Sequence, residues 1–183
     1  HYTPDVLFEP HNWLYPSTDA AGIQLVVSPF NSACKETWAY RLNLNKGDEF
    51  EVFHKDLELN PALTRGKVAL QHGSQEDLQL QKLDSFYLPA GDSARLRALE
   101  NTIIYIGGAG YKEEGEFFIR RYEADMSLGE IHQIHGEPPY EREVFMTVNQ
   151  EASASRLING FTWGADGMWT SWPPHQHSES LEE

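Results

Sequence analysis

The feature that most constrains the fold of this chain is a series of short segments in which apolar and polar residues alternate. In residues 37–44, Trp38, Tyr40, Leu42 and Leu44 fall at every second position. Successive side chains of a β-strand point to opposite faces, so this spacing places all four on one face. No window of eleven or more residues has the apolar stripe of an amphipathic helix. The pattern therefore predicts an all-β protein.

Strands of this kind recur every ten to fifteen residues or so, separated by turns rich in Gly, Pro and Asp, which is typical of an antiparallel sandwich or barrel. We predict a first β-barrel over residues 1–125, a linker or crossing loop over 126–142, and the start of a second barrel over 143–183. His132 and His135 fall in the predicted linker, where Gly136 and two prolines argue against a helix, and are interpreted as loop histidines. The predicted strands cover residues 23–28, 37–44, 49–54, 66–70, 78–83, 94–99, 102–106, 117–122, 143–149 and 157–163.

Charge and cysteine content limit the classes of partner. With 28 acidic and 14 basic residues, the 183-residue chain has a formal net charge of −14, which disfavours nucleic acid and anionic membranes as partners. An anionic substrate would need a local basic or metal site. Cys34 is the single cysteine, so an internal disulfide is impossible and a cytoplasmic location is expected. No apolar run approaches the roughly 18 residues of a membrane span.

The C-terminal stretch has the residue types of a metal site. His175 and His177 are two residues apart, which puts both imidazoles on one face of an extended segment, and Pro173 and Pro174 before them favour extended backbone. Imidazole nitrogen binds zinc, iron, nickel and copper. A carboxylate five or six residues after His177, from Glu182 or Glu183, can serve as a third ligand. The alternative interpretation is a pair of ordinary surface histidines.

Residues around this stretch resemble a known family. The segment Trp169-Thr170-Ser171-Trp172-Pro173-Pro174-His175-Gln176-His177 is similar to the metal strand of 5-deoxy-glucuronate isomerase, a bicupin of inositol catabolism related to 5-keto-4-deoxyuronate isomerase of pectin breakdown. Upstream, residues 136–144 (GEPPYEREV) resemble the family's stretch before its second barrel, and residues 180–183 (SLEE) resemble its Ser-x-Leu-Glu-Glu run. More weakly, residues 84–91 fit a turn of its first barrel.

The resemblance implies a fold and a reaction. The expected fold is the cupin, an RmlC-like jelly-roll β-barrel, in a bicupin with an incomplete second barrel. The expected function is a metal-dependent aldose–ketose isomerase of a deoxy-uronic acid, with His175, His177 and either Glu182 or Glu183 as ligands of a divalent Zn, Mn, Fe or Ni ion. A metal polarises the substrate carbonyl in such a reaction, and a proton moves between C1 and C2. We assign no residue of this sequence as the general base that moves this proton.

Two residues are candidates for substrate binding. Arg142 matches a family arginine and is expected to pair with the substrate carboxylate, although a salt bridge to Glu141 or Glu143 is an alternative role. Trp172 lies beside the histidines and is a candidate to stack on the sugar, with core packing as the alternative. His54 and Glu58, in the first barrel, lack an H-x-H partner, so that barrel is expected to be structural and metal-free.

The sequence also departs from the family pattern. Ser178 replaces the usual aspartate, and a cupin's fourth ligand, usually a histidine, comes from a strand later than Glu183. The chain is therefore expected to be an N-terminal portion or a truncated relative, and exposed strand edges favour a homo-oligomer. The alternative function is a non-catalytic cupin that binds a sugar acid or acts in protein interaction.

Overall fold

The protein is described by a computed structural model that covers residues 15–149 and 151–166. Within those ranges the chain forms β-strands joined by turns and loops, with no α-helix, so the all-β prediction is confirmed. The strands are β1 (Gly22–Val27), β2 (Thr37–Leu44), β3 (Glu49–Phe53), β4 (Leu57–Arg65), β5 (Lys67–His72), β6 (Gln75–Gln81), β7 (Ser85–Tyr87), β8 (Ser93–Ala98), β9 (Thr102–Gly110), β10 (Phe118–Arg120), β11 (His132–His135), β12 (Arg142–Val148) and β13 (Asn159–Trp163).

The first ten strands form two antiparallel sheets around one core. The larger sheet has the order β1-β2-β9-β4-β7-β10, and the smaller one has the order β3-β8-β5-β6. Leu42, Leu63 and Ile104 from the larger sheet and Leu70 and Leu96 from the smaller one are fully buried in a single cluster. Burying a side chain of this size contributes about 1.5–3 kcal/mol, so the alternating residues hold the two sheets together. Two sheets of this kind, linked by crossing connections, make a jelly roll.

Strand β4 was not predicted from the sequence, although it lies in the middle of the larger sheet. The prediction failed because of Pro61, since proline has no N–H for the hydrogen-bond ladder and is rare in central strands. The register that pairs Ala62 with Ser85 and Leu59 with Leu88 places Pro61 opposite Phe86. The side-chain amide of Asn60 donates to the carbonyl of Phe86 at 2.8 Å, and so replaces the missing backbone donor.

A glycine makes the turn from β4 into β5. Gly66 has a φ of +88°, in the left-handed region that side chains rarely adopt. A Cβ at this position would lie 2.4 Å from both the carbonyl oxygen of Asn101 and the hydroxyl of Thr102. The turn therefore requires glycine for its backbone angle and for the close approach of the neighbouring loop.

A third, three-stranded sheet with the order β11-β12-β13 packs on the outer face of the larger sheet. Its first strand lies inside the predicted linker, so the interpretation of His132 and His135 as loop histidines is wrong. Four residues are too few for a clear alternation, and pairing with β12 supplies the stability that the local sequence lacks.

In the hairpin loop that follows, the amide of Tyr140 donates to the carbonyl of Glu137 at 2.7 Å, and the Pro138–Pro139 peptide bond is cis.

The predicted second barrel, residues 143–183, is described only as far as residue 166. In the part of the chain that the structure covers, there is no helix with the length and hydrophobicity that a membrane crossing needs. Cys34, which is partly exposed, is a free thiol in the loop between β1 and β2.

Candidate functional site

The two faces of the third sheet have different neighbours. Adjacent residues of β12 point to opposite sides, so Arg142 and Val144 share one face while Glu143, Phe145 and Thr147 share the other. Phe145 and Thr147 are buried, with relative exposures of 0% and 1%. Their face therefore packs on the first barrel, and the face of Arg142 points away from it.

Arg142 is the one predicted site residue that the structure describes. It begins β12 and lies directly opposite His135 of β11. The guanidinium forms no ion pair with any residue in the ranges 15–149 and 151–166. Among these residues, the alternative role of Arg142, a salt bridge to Glu141 or Glu143, is therefore wrong. Within the part of the chain that the structure describes, the charge of Arg142 is therefore not compensated by a carboxylate.

His135, which the sequence analysis assigned to a loop, lies on β11 beside Arg142. Its Nε2 lies 2.6 Å from the Oε1 of Gln133, and the amide nitrogen of Gln133 donates to the carbonyl of Glu130 at 2.7 Å. Because the Gln133 oxygen can only accept, Nε2 of His135 is the donor. Gln133 thus orients the imidazole on the face that Arg142 occupies, and the pair brings together an arginine and a titratable histidine.

On the opposite face, His132 joins the third sheet to the loop before it. Nδ1 of His132 lies 2.6 Å from the carbonyl oxygen of Met126, and Nε2 lies 2.7 Å from Oε1 of Glu143. The other carboxylate oxygen of Glu143 accepts a bond from the indole of Trp163 at 3.1 Å. The Met126 carbonyl and, to a smaller extent, the Glu143 carboxylate raise the pKa of His132. These bonds hold the carboxylate of Glu143, the residue next to Arg142.

A buried polar cluster fixes the third sheet and the loop after β12 to the first barrel. The carboxylate of Glu58, which is 0% exposed, accepts bonds from the amide of Arg156 at 2.9 Å and of Leu157 at 2.6 Å. Burial outweighs these donors and raises the pKa of Glu58. Burial, followed by the Glu58 charge, also raises the pKa of the Tyr87 hydroxyl. Glu58 thus joins strand β4 to the loop that follows β12.

Asn60 is the second anchor in this cluster. Its Oδ1 accepts bonds from the hydroxyl of Thr147 at 2.6 Å and from the amide nitrogen of Asn159 at 3.1 Å. A Cβ at Gly107, on the neighbouring strand, would lie 2.9 Å from the same Asn159 nitrogen, so a larger residue there would push this side chain aside. Nδ1 of His54, which like Glu58 lacks an H-x-H partner, accepts hydrogen bonds from the backbone amides of Asp56 and Leu57 at 3.0 Å each. The side chains of His54 and Glu58 therefore both accept hydrogen bonds from the backbone of the protein.

The remaining predicted site residues, His175, His177, Glu182, Glu183 and Trp172, lie outside the described residues. Across residues 15–149 and 151–166, no group of three or more His, Cys, Asp or Glu side chains could hold a metal ion. Two clefts of about 300 and 390 Å³ border Asn159 on the outer face of the larger sheet. Their lining includes neither Arg142 nor His135, so the clefts are not part of this candidate site.

Comparison with solved structures defines the class of fold. An IolB-like protein from Salmonella typhimurium superposes with a TM-score of 0.58 at 16% identity, over 70% of this chain and 51% of that one. A structural-genomics target from Pseudomonas aeruginosa gives 0.56 at 12% identity, over 70% of this chain and 49% of that one. This chain thus spans about half the length of both proteins. With the two facing antiparallel sheets, these likenesses confirm the predicted cupin-type jelly roll.

The family follows from the sequence itself. The model of the KduI/IolB family matches residues 13–183, which is nearly the whole chain, so this chain belongs to the KduI/IolB family. The family contains uronate and deoxy-uronate isomerases. No curated protein sequence matches the chain. The resemblance inferred from residues 136–183 is therefore confirmed at the level of the family.

Proposed function

We propose that this chain is a metal-dependent aldose–ketose isomerase of a deoxy-uronic acid, most similar to 5-deoxy-glucuronate isomerase of myo-inositol catabolism, or a portion of such an enzyme. The observation that supports this most strongly is the family match, which runs through residue 183 and includes the His175–His177 pair. The face of the third sheet that points away from the first barrel adds Arg142, which has no acidic partner among the described residues.

The donor set fits a divalent transition metal. His175, His177 and one of Glu182 and Glu183 would offer two imidazole nitrogens and a carboxylate oxygen, a combination that suits Zn, Mn, Fe or Ni. Neutral imidazoles can bind where protonated ones cannot, so these ligands would be lost at acidic pH. When bound, the metal supplies Lewis-acid polarisation of a substrate carbonyl.

The other residues act on the substrate directly. A uronic acid carries a carboxylate at one end and a reactive carbonyl at the other, and the Arg142 guanidinium can hold that carboxylate with two parallel N–H bonds. Trp172, which precedes the histidines by three and five positions, would cover one face of the sugar. With both ends fixed, the proton that moves between C1 and C2 is held where a general base can reach it.

The test is an isomerase assay on the full chain supplied with divalent metal. 5-Deoxy-glucuronate is incubated with the protein, and formation of the ketose is followed by NMR. We expect turnover by the wild type, none by the His175→Ala/His177→Ala double variant, and a loss of roughly 10–100-fold in kcat/KM for Arg142→Gln, since a charged hydrogen bond contributes about 1.5–3 kcal/mol. Arg95→Gln, which removes an exposed arginine of β8, is the matched control and should keep full activity.

Absence of ketose from the metal-loaded wild-type chain would overturn the isomerase assignment and favour a non-catalytic cupin. Equal activity of Arg142→Gln and Arg95→Gln would remove Arg142 from the substrate site while leaving the isomerase assignment in place.

A further inference from the structure

His135 and Arg142 lie side by side on the face of the third sheet that points away from the first barrel. The two residues are direct register partners on β11 and β12. In an antiparallel pair, the Cβ atoms of directly opposite residues are about 4.5–5.5 Å apart. His135 is exposed and Arg142 is half-buried, so a molecule in solution can reach both side chains. A ligand group held by Arg142 is therefore bordered by the imidazole of His135.

The hydrogen bonds of His135 fix which of its ring nitrogens can contact a ligand. Nε2–H donates to the Oε1 of Gln133 at 2.6 Å, and Gln133 is itself held by its bond to the carbonyl of Glu130 at 2.7 Å. In a neutral imidazole one nitrogen carries the proton and the other is an acceptor, so Nδ1 is the acceptor here. Nδ1 forms no hydrogen bond with any residue in the ranges 15–149 and 151–166. His135 thus presents an acceptor beside the guanidinium of Arg142.

Two deoxy-uronic acids of the proposed class differ where such an acceptor matters. 5-Deoxy-glucuronate and 5-keto-4-deoxyuronate carry the same groups at C1, C2 and C3, where the isomerisation takes place. Next to the C6 carboxylate they differ, because the first has a hydroxyl on C4 and a methylene at C5, and the second has a methylene at C4 and a keto oxygen on C5. A hydroxyl can donate to Nδ1, whereas a keto oxygen can only accept. The end of the substrate that Arg142 would hold is therefore the end that distinguishes the two acids.

We propose that His135 is a specificity-determining residue, which accepts a hydrogen bond from the C4 hydroxyl of 5-deoxy-glucuronate and so selects this acid over 5-keto-4-deoxyuronate. The inference rests on the proposed function, because it takes Arg142 as the group that binds the substrate carboxylate. With the keto acid, the Nδ1 lone pair faces a carbonyl oxygen, and a contact between two acceptors is unfavourable. Gln133 is a positioning residue, since its oxygen holds the proton on Nε2.

The test compares kcat/KM for the two acids on the full chain supplied with divalent metal. We expect the wild type to prefer 5-deoxy-glucuronate. His135→Phe should lose roughly 3–10-fold in kcat/KM for this acid, which is the usual contribution of a hydrogen bond between neutral groups. The same variant should keep its activity on 5-keto-4-deoxyuronate or gain some, because the opposed acceptor is gone. The ratio of the two kcat/KM values should therefore fall by at least the same factor.

Three further variants separate recognition of the hydroxyl from a merely structural role. His135→Asn keeps an acceptor oxygen near the position of Nδ1 and should retain most of the preference. Gln133→Leu lets the imidazole exchange its proton between the two nitrogens and should lower the preference by a smaller factor than His135→Phe. Gln71→Phe, at an exposed position of β5, is the matched control and should leave the ratio unchanged.

The outcomes distinguish this inference from the proposed function. An unchanged ratio in His135→Phe, or a wild-type preference for the keto acid, would overturn the role of His135 and leave the isomerase in place. If the metal-loaded wild type turns over neither acid, calorimetric binding of the same two acids replaces kcat/KM. A binding preference for 5-deoxy-glucuronate that His135→Phe removes would then support the role of His135 in a non-catalytic cupin, and the absence of such a preference would overturn it.

Discussion

Glu58 illustrates how a single side chain can join two parts of this molecule. Its carboxylate accepts backbone N–H groups of Arg156 and Leu157, which are about a hundred positions further along the chain. Three N–H···O contacts end on two oxygens of a fully buried group. Removing the carboxylate would leave these donors buried without acceptors.

We expect Glu58→Ala to lower the free energy of unfolding by about 2–5 kcal/mol, since each buried unsatisfied donor costs roughly 1–3 kcal/mol. Urea denaturation followed by tryptophan fluorescence measures the change. Glu51→Ala, at an exposed position of β3, is the control and should stay within about 0.5 kcal/mol of the wild type. Equal unfolding midpoints for the two variants would show that Glu58 does not anchor the loop.

His132 predicts a pH dependence with a definite sign. Its contacts with the Met126 carbonyl and the Glu143 carboxylate favour the protonated ring and raise its pKa in the folded protein. Stability from this histidine is therefore fully present below its ordinary pKa of about 6.5 and is lost as pH rises through the raised value. We expect the wild type to lose more stability than His132→Gln between mildly acidic and alkaline pH.

NMR titration of the imidazoles measures this directly. The His132 resonance should titrate at a higher pH than an unperturbed histidine, and His135→Gln should leave its midpoint unchanged because the two rings are on opposite faces of β11. A His132 midpoint below about 6.5 would contradict the assigned hydrogen bonds.

That these two histidines face opposite sides of β11 could have been deduced from the sequence once the strand was recognised. Residues 132 and 135 are separated by an odd number of positions, so in a strand they face opposite sides. Their partners could not be read, because Glu143, Met126 and Gln133 come together only through the pairing of β11 with β12.

At the scale of elements, clear alternation of apolar and polar residues predicted a strand correctly, whereas a proline led to a strand being missed. Residues 37–44 were predicted to form a strand and do so over the same range as β2. β4 escaped prediction because its side chains are buried on both faces, with apolar residues on one side and Glu58 and Asn60 on the other. Glu58 and Asn60 are residue types that favour a loop prediction, and their burial is explained only by the third sheet, which covers them.

A double-mutant cycle tests the account of β4. Asn60→Ala removes the donor to the Phe86 carbonyl and the acceptor for Thr147 and Asn159, and it should cost about 2–4 kcal/mol of stability. In a Pro61→Ala background, a restored backbone N–H can reach the same carbonyl, so the cost of Asn60→Ala should fall by about 1 kcal/mol. Strict additivity in denaturant unfolding would mean that Asn60 does not substitute for the missing proline donor.

At the scale of the whole molecule, the family was predictable from short motifs, and the geometry of the site was not. The segments at 136–144 and 169–183 identified the family, because proline, histidine and arginine at fixed spacing are rare in combination. Of the residues proposed for the site, Arg142 alone lies among those that the structure describes, and the position of His135 beside it follows only from strand register. Local patterns predict strands, whereas side chains from different strands meet only in the folded chain.

The account rests most directly on a metal at His175 and His177. The deciding measurement is metal content by mass spectrometry on protein purified without a histidine tag, beside the His175→Ala/His177→Ala double variant. We expect close to one divalent metal ion per wild-type chain and almost none in the variant, because two of the three proposed ligands are then absent. Metal missing from both proteins, or equal amounts in the two, would contradict the proposed site and with it the metal-dependent isomerase.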